Sequence, residues 1–153
     1  MDSITVNWLG PYSLNQSTPR DLQRKMGLYA VLSGSNYLFI GRAVKGKGIF
    51  RQAKINREGE YWEGLKKLGV VNGDPPAYYR LVEEVFNNCE LFAGIVSRDQ
   101  LGLVNEVEKI LVFKLKPVCN DKYTKNLGSF EQPNVVHTGN VPIGLEQSLV
   151  GFE

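Results

Sequence analysis

The sequence predicts an α+β domain, because two short β-prone segments around a tight turn are followed by helical patterns, a further strand and a long helix. The first two strands are expected at residues 27–32 and 37–41, and the polar, glycine-containing turn between them is typical of an antiparallel hairpin. A third strand is expected at residues 89–96. With 153 residues, 42% hydrophobic and 22% charged, the chain fits one globular domain.

The length of the hairpin turn decides which side chains lie opposite each other. A two-residue turn would place Tyr29 opposite Ile40, whereas a three-residue turn would place Tyr29 opposite Phe39. Both registers stay open at the level of the sequence.

Three helical segments are predicted around these strands. Residues 49–62 carry charged residues on one side, and a proline-opened helix is expected through residues 79–86. The last helix is predicted to start from a capping box at Ser97, in which Gln100 reaches back to the helix start. It should end near Leu115, because the proline at position 117 disfavours helical geometry in the residue before it.

The cysteine and histidine content excludes a structural zinc site. Cys89 and Cys119 form no CxxC pair, and His137 is the only histidine in the sequence. Free thiols of this kind are usually small buried side chains in a reducing compartment. Because the sequence also shows no apolar run long enough for a membrane span and no secretion signal, we expect a cytoplasmic protein without a membrane partner.

The distribution of charge is more informative than its sum. The net charge of +2 is too small to indicate a nucleic-acid partner by itself. Residues 42–57, however, contain six basic residues and no acidic one. These six are Arg42, Lys45, Lys47, Arg51, Lys54 and Arg57. The segment is either a solvated basic face or an anion-binding surface.

A carboxylate occupies a position in the apolar stripe of the last predicted helix. Leu101, Val104, Leu111 and Leu115 follow the spacing of a core-facing stripe, and Glu108 takes the remaining position. An unpaired buried carboxylate costs several kcal/mol, so Glu108 is expected either to form a salt bridge or to bind a cation. Mg²⁺ often uses only one or two protein carboxylates.

An ordered set of motifs spans the middle of the chain. Its members are Gly27-Leu28-Tyr29, Phe39-Ile40-Gly41, Arg51, Glu108, Pro117 and Asn120. With these spacings the set resembles the signature of the GIY-YIG nuclease superfamily. The resemblance covers a core of about residues 27–120, and it leaves an N-terminal extension at 1–26 and a C-terminal extension at 121–153 of one domain, 1–153.

This resemblance implies a small three-stranded antiparallel sheet flanked by helices, and a divalent-metal-dependent endonuclease that hydrolyses DNA with Mg²⁺ or Mn²⁺. It also implies three catalytic residues. Tyr29 would activate or orient the attacking water, Arg51 would contact the scissile phosphate, and Glu108 would bind the metal ion. The residue types are suitable, because an arginine fork matches a phosphate group and a carboxylate matches Mg²⁺.

Further residues are expected to support the site, among them Arg42, which follows the hairpin and is the candidate cation beside the Tyr29 hydroxyl. They are Gly27, Phe39, Gly41, Arg42, Lys54 and Asn120. Phe39 stands where the second signature tyrosine is usual, and Ile55 stands where a histidine or tyrosine is usual, with Lys54 or Tyr61 as substitutes. The alternatives are a catalytically inactive nucleic-acid-binding module of the same type, and a protein-interaction domain in which Glu108 is only salt-bridged.

Overall fold

The structure, a computed structural model, describes residues 2–46, 48–55 and 57–145, apart from the side chain of Glu58. The strands are β1 (Ser3–Ser13), β2 (Gly27–Ser33), β3 (Asn36–Ala43), β4 (Cys89–Ile95) and β5 (Asn134–Gly139). The helices are α1 (Ile49–Ala53), α2 (Trp62–Lys67), α3 (Tyr79–Phe86) and α4 (Val104–Leu115). None of the helices in these ranges is long and apolar enough to cross a membrane.

The prediction of a small three-stranded antiparallel sheet is wrong. Within the described residues the strands form one mixed sheet of five in the order β3-β2-β4-β1-β5, in which β1 and β5 are parallel and the other neighbours are antiparallel. The two additional strands come from the segments that were expected to be extensions. In β1, Ile4, Val6 and Trp8 are buried and alternate with exposed residues, so this strand contributes to the core.

The hairpin has neither of the two registers expected for it. Ser33 pairs with Asn36, which is a two-residue turn, but Leu38 is an extra residue that shifts the pairing by one position. Tyr29 therefore lies opposite Gly41. A bulge of this kind leaves no signal in a pattern of apolar residues, and it is the feature that sets the position of the tyrosine.

The sheet separates two hydrophobic cores. The first lies against α1 to α3 and includes Tyr29, Tyr61 and Phe86. The second lies against α4 and includes Trp8 and Ile40. Because both faces of the sheet are covered, β2 is buried along almost its whole length, as its continuous apolar sequence requires.

The helices differ from their predicted forms at two places. Residues 49–62 are not continuous, because a π-helical turn at Arg57–Tyr61 separates α1 from α2. The prediction of a capping box at Ser97 is also wrong, because no side chain caps this helix start. The side chain of Gln100 instead donates to the Ser3 carbonyl oxygen and accepts from the Thr5 N–H, both at 3.1 Å. The predicted end of the last helix is confirmed, since α4 ends at Leu115.

The outer edge of β3 is covered by the segment that follows α4. The backbone N–H groups of Val118 and Cys119 donate to Tyr37 and Leu38 of this strand at 3.2 and 2.8 Å. Asn120 continues the pairing with its side-chain amide, which both donates to and accepts from the Ile40 peptide at 3.0 Å. These bonds satisfy an otherwise open strand edge and fix β3 next to the end of α4.

Candidate functional site

Tyr29 lies directly over Gly41 on the neighbouring strand. Its ring is so close that a methyl group at position 41 would come within 2.4 Å of both Cζ and Oη. Tyr29 is 2% exposed, and burial raises the pKa of its hydroxyl above the ordinary value, with the Glu108 carboxylate adding to the rise. At neutral pH the side chain is therefore a neutral phenol that donates one O–H.

Arg42 and Glu108 form a salt bridge beside this tyrosine. Arg42 Nη1 donates to Glu108 Oε1 at 2.6 Å, which joins β3 to α4. The Arg42 side chain is 42% exposed and the Glu108 side chain is 14% exposed. With one partner so exposed, the pair contributes at most about 1 kcal/mol to stability. Its main effect is to hold the carboxylate at the edge of the sheet.

The electrostatic environment of Glu108 combines burial and nearby cations. Burial is the larger effect and raises the pKa of this carboxyl, whereas Arg42 and Lys109 lower it. The salt-bridged alternative considered for the carboxylate in the apolar stripe is therefore what the geometry shows. The second carboxylate oxygen, Oε2, makes no hydrogen bond to the part of the chain that the structure describes.

Tyr29, Arg42 and Glu108 line one open groove of about 360 Å³, which we call the edge groove. Its remaining lining residues are Phe39, Gly41, Ala43, Val44, Lys45 and Gln52. Tyr29 reaches the edge groove from the face of the sheet covered by α1 to α3, and Glu108 reaches it from the helix on the other face. The expected tyrosine and acid thus meet at a sheet edge.

Phe39 packs between two tyrosines. Its ring centroid is 6.0 Å from that of Tyr29 and 5.8 Å from that of Tyr61. The Tyr61 hydroxyl is buried and makes no hydrogen bond of good geometry within the described residues, although the two phenols are close enough to alter each other's pKa. The sequence indicated Tyr61 only as a substitute for a missing motif residue, and its location in a π-helical turn gave no further signal.

A second cavity of about 290 Å³ adjoins the edge groove and shares Phe39 and Glu108 with it. Glu60 and Asp121 also line this cavity. With Glu108 they give the cavity three carboxylates against one cation, Lys122. No group of three or more metal-ligating side chains lies close together in the described ranges. Sequence reasoning missed Glu60 and Asp121, because neither falls on an apolar stripe or a motif position.

Arg51 does not join the edge groove. Its exposed side chain lines two other cavities with Thr18, and its chain neighbour Gln52 takes the position on α1 that faces Tyr29 and Glu108. Lys54 also lies away from the groove, since its ammonium group donates to the Gln16 carbonyl oxygen. The arginine and lysine expected at the site are therefore on the far side of α1.

The other expected supporting residues have structural contacts. Asn120 holds the Ile40 peptide through two hydrogen bonds, as described above. Gly27 has a φ of +145°, and a methyl group there would lie 2.0 Å from the carbonyl oxygen of Gly94. Only glycine fits this approach of two strands. Lys47 of the basic segment lies outside the described residues.

The cysteines and the histidine lie apart from the groove or are unreactive. Cys89 is buried and its pKa is raised by burial to about 12, so it has no nucleophilic character at neutral pH. Burial likewise raises the pKa of the half-buried Cys119 to about 11. His137 is buried against Trp8, whose indole N–H donates to His137 Nδ1 at 2.9 Å.

Comparisons with known proteins identify no relative of this chain. No protein-family model matches the chain, and no curated protein or solved structure matches it either.

Proposed function

We propose that this chain is a divalent-metal-dependent endonuclease that hydrolyses a DNA phosphodiester bond in the edge groove. The observation that carries the proposal is the convergence of Tyr29, Arg42 and Glu108 on one open groove from a hairpin strand, an edge strand and a distant helix. A neutral hydroxyl, a fixed cation and a carboxylate are the groups that phosphodiester hydrolysis uses. The motif resemblance described above supports the same conclusion.

Arg42 is the residue that stabilises negative charge in this proposal. Its guanidinium group is partly exposed in the groove, and only Nη1 is used by the bond to Glu108. The remaining N–H groups are available to a phosphate oxygen, and arginine stays charged at any physiological pH. In this chain Arg42, rather than Arg51, has the position to contact the phosphate that reacts.

Tyr29 orients the attacking water rather than removing a proton from it. Its pKa is raised by burial and by Glu108, and the opposing effect of Arg42 is the weakest of the five causes. A phenolate is therefore disfavoured, whereas a fixed O–H donor at the wall of the groove is retained. Positioning of this kind lowers the entropic part of the barrier.

The residues at the groove fit a single hard cation. Glu108 offers one carboxylate oxygen that is not engaged by Arg42, in a cavity that Glu60 and Asp121 also line. Mg²⁺ or Mn²⁺ commonly binds through one or two carboxylates with water and substrate phosphate as the other ligands. Such an ion supplies positive charge to the phosphoryl oxygens when it is bound.

A second function, nucleic-acid binding without cleavage, is favoured by a different observation. Glu108 already has a counterion in Arg42, and Arg51 lies outside the groove. Both features are compatible with a site that has lost catalysis and kept a basic surface. The two functions differ in whether a phosphodiester bond breaks.

The test is a nicking assay on supercoiled plasmid DNA with Mg²⁺, with Mn²⁺ and with a chelator. We expect nicking that requires the metal and that falls by about 100-fold or more in Glu108→Gln, because this change removes the charged ligand. Glu131→Gln is the matched control, since Glu131 is exposed and lies outside both cavities. Arg42→Gln should also lose most of the activity.

The outcomes separate the alternatives. Equal nicking by wild type and Glu108→Gln would exclude this site as the source of cleavage. Metal-independent, salt-sensitive retardation of DNA without nicking would support the binding module, since phosphate contacts release counterions. If the protein neither nicks nor retards DNA, the remaining hypothesis is a protein-interaction domain.

A further inference from the structure

Two adjoining cavities on the far side of α1 have a basic lining. One, of about 320 Å³, is lined by Thr18, Gln23, Arg24 and Arg51, and the other, of about 490 Å³, by Thr18, Arg51, Lys54 and Ile55. They share Thr18 and Arg51, so they form one continuous surface. Three cations and no carboxylate are among these lining residues.

None of the ion pairs in the described part of the chain involves a cation of this surface. Arg24 and Arg51 form no ion pair with any described residue. Lys54 has a lowered pKa, first because it is partly buried and second because the Arg57 charge lies near it, while Glu83 acts more weakly in the opposite direction. Cations held this close to each other favour an anionic ligand.

Arg57 extends the surface beyond the cavities. Its two terminal nitrogens donate to the Asn15 side-chain oxygen and to the Tyr79 hydroxyl, and its guanidinium carbon lies 5.4 Å from the Tyr79 ring centroid. Both partners are neutral, and no ion pair among the described side chains involves Arg57. Arg24, Arg51, Lys54 and Arg57 together form what we call the basic strip.

The basic strip and the edge groove lie on different sides of one short helix. Gln52 of α1 lines the groove and its neighbour Arg51 lines the strip. A polyanion that crosses α1 would meet both surfaces, whereas a small anion would need only one. The row of four cations therefore matches a repeating backbone of phosphates better than a single phosphate group.

We propose that the basic strip binds the sugar-phosphate backbone of the nucleic acid beside the point of cleavage, and that Arg51 belongs to this binding surface rather than to the chemical step. The proposal rests on the proposed function for the identity of the ligand. It assigns no sequence preference, because contacts to phosphates position a nucleic acid without reading its bases.

The experiment is a fluorescence anisotropy titration of a labelled DNA duplex, in the presence of a chelator, over a series of salt concentrations. Each lost phosphate contact should reduce the slope of log Kobs against log salt by about 0.9. We expect a reduction of about one for Arg51→Ala and about two for the double variant Arg24→Ala/Arg51→Ala. Arg51→Lys should restore most of the slope, and the exposed Lys125→Ala should leave it unchanged.

A cleavage assay then separates binding from chemistry. Arg51→Ala should raise the DNA concentration for half-maximal nicking by several-fold more than it lowers the rate at saturation, while Glu108→Gln should lower mainly the rate. An unchanged salt slope in Arg51→Ala would overturn the basic strip. The basic strip would also be overturned if Arg51→Ala lowered the nicking rate at saturating DNA as much as Glu108→Gln does. If neither the wild type nor any variant nicks DNA, the proposed endonuclease activity is refuted. The salt slopes still show whether the basic strip contacts the DNA backbone.

Discussion

Replacement of Gly41 by alanine tests the contact on which the edge groove depends. The added methyl group would lie 2.4 Å from Tyr29 Cζ and Oη, whereas ordinary carbon contacts are at about 3.5–4.0 Å. Relief of the clash therefore requires a shift of at least about 1 Å in the ring or in β3. The ring has little space for such a shift, because it packs against Phe39 on one side and is 2% exposed.

The expected cost is that of overpacking a close-packed core, about 2–3 kcal/mol. For a domain of this size each kcal/mol lowers Tm by about 2–4 °C, so Gly41→Ala should melt about 4–12 °C below wild type. Gly102→Ala is the matched control, because a methyl group there meets no atom within 4 Å. Its Tm should change by less than about 2 °C.

The assay is thermal unfolding by circular dichroism, followed by a double-mutant cycle with Tyr29→Ala. Removing the ring creates a cavity that the alanine at position 41 partly fills, so the double variant should be more stable than the sum of the single changes predicts. Additive effects, or a Gly41→Ala protein as stable as wild type, would refute the proposed contact between Tyr29 and Gly41. In the nicking assay Gly41→Ala should lose activity, because the hydroxyl moves.

Three further predictions concern the stability of the fold. Burial, with a smaller effect from Lys114, lowers the pKa of His137 from 6.5 to about 4, so the unfolded chain takes up this proton first as the pH falls. The free energy of unfolding should therefore decrease between pH 6.5 and 4 by up to about 3 kcal/mol, and urea unfolding of His137→Gln should show less of this decrease. Asn120→Ala removes both bonds to the Ile40 peptide and should lower the free energy of unfolding by about 1–3 kcal/mol, whereas an unchanged urea midpoint would mean that water replaces the amide. Gly27→Ala should destabilise more than Gly41→Ala, as judged by soluble yield and Tm, because its methyl group would meet backbone rather than a ring.

Local patterns in the sequence predicted the elements that depend on local interactions. The hairpin, the strand at β4 and the end of α4 follow from β-prone runs, turn residues and a proline, all of which act within a few positions. The pairing of β1 with β4 and β5 was not predicted, because pairing between distant segments has no local signature. The alternation of polar and apolar residues in β1 was present, but the glycine and proline at positions 10 and 11 indicated a break.

At the candidate site, too, the sequence predicted what local patterns determine and missed what depends on the tertiary structure. Glu108 was identified because a carboxylate in an apolar stripe violates a local rule, and Arg42 was identified by its place after the hairpin. The exclusion of Arg51 depends on which side of α1 faces the groove. A helix of five residues has too few positions for a periodic pattern to define its faces. The short length of α1 therefore explains why the sequence did not show that Arg51 and Gln52 line different cavities.

The position of α1 also determines how the two surfaces can act together. Gln52 and Arg51 are adjacent in the chain, so the edge groove and the basic strip meet at the same turn of α1. A backbone held on the strip is then held at a fixed distance from Arg42 and Glu108. α1 contacts both β2 and β3, so the packing of this helix against the sheet sets that distance. Binding on the strip would in this way supply the positioning that a single small groove lacks.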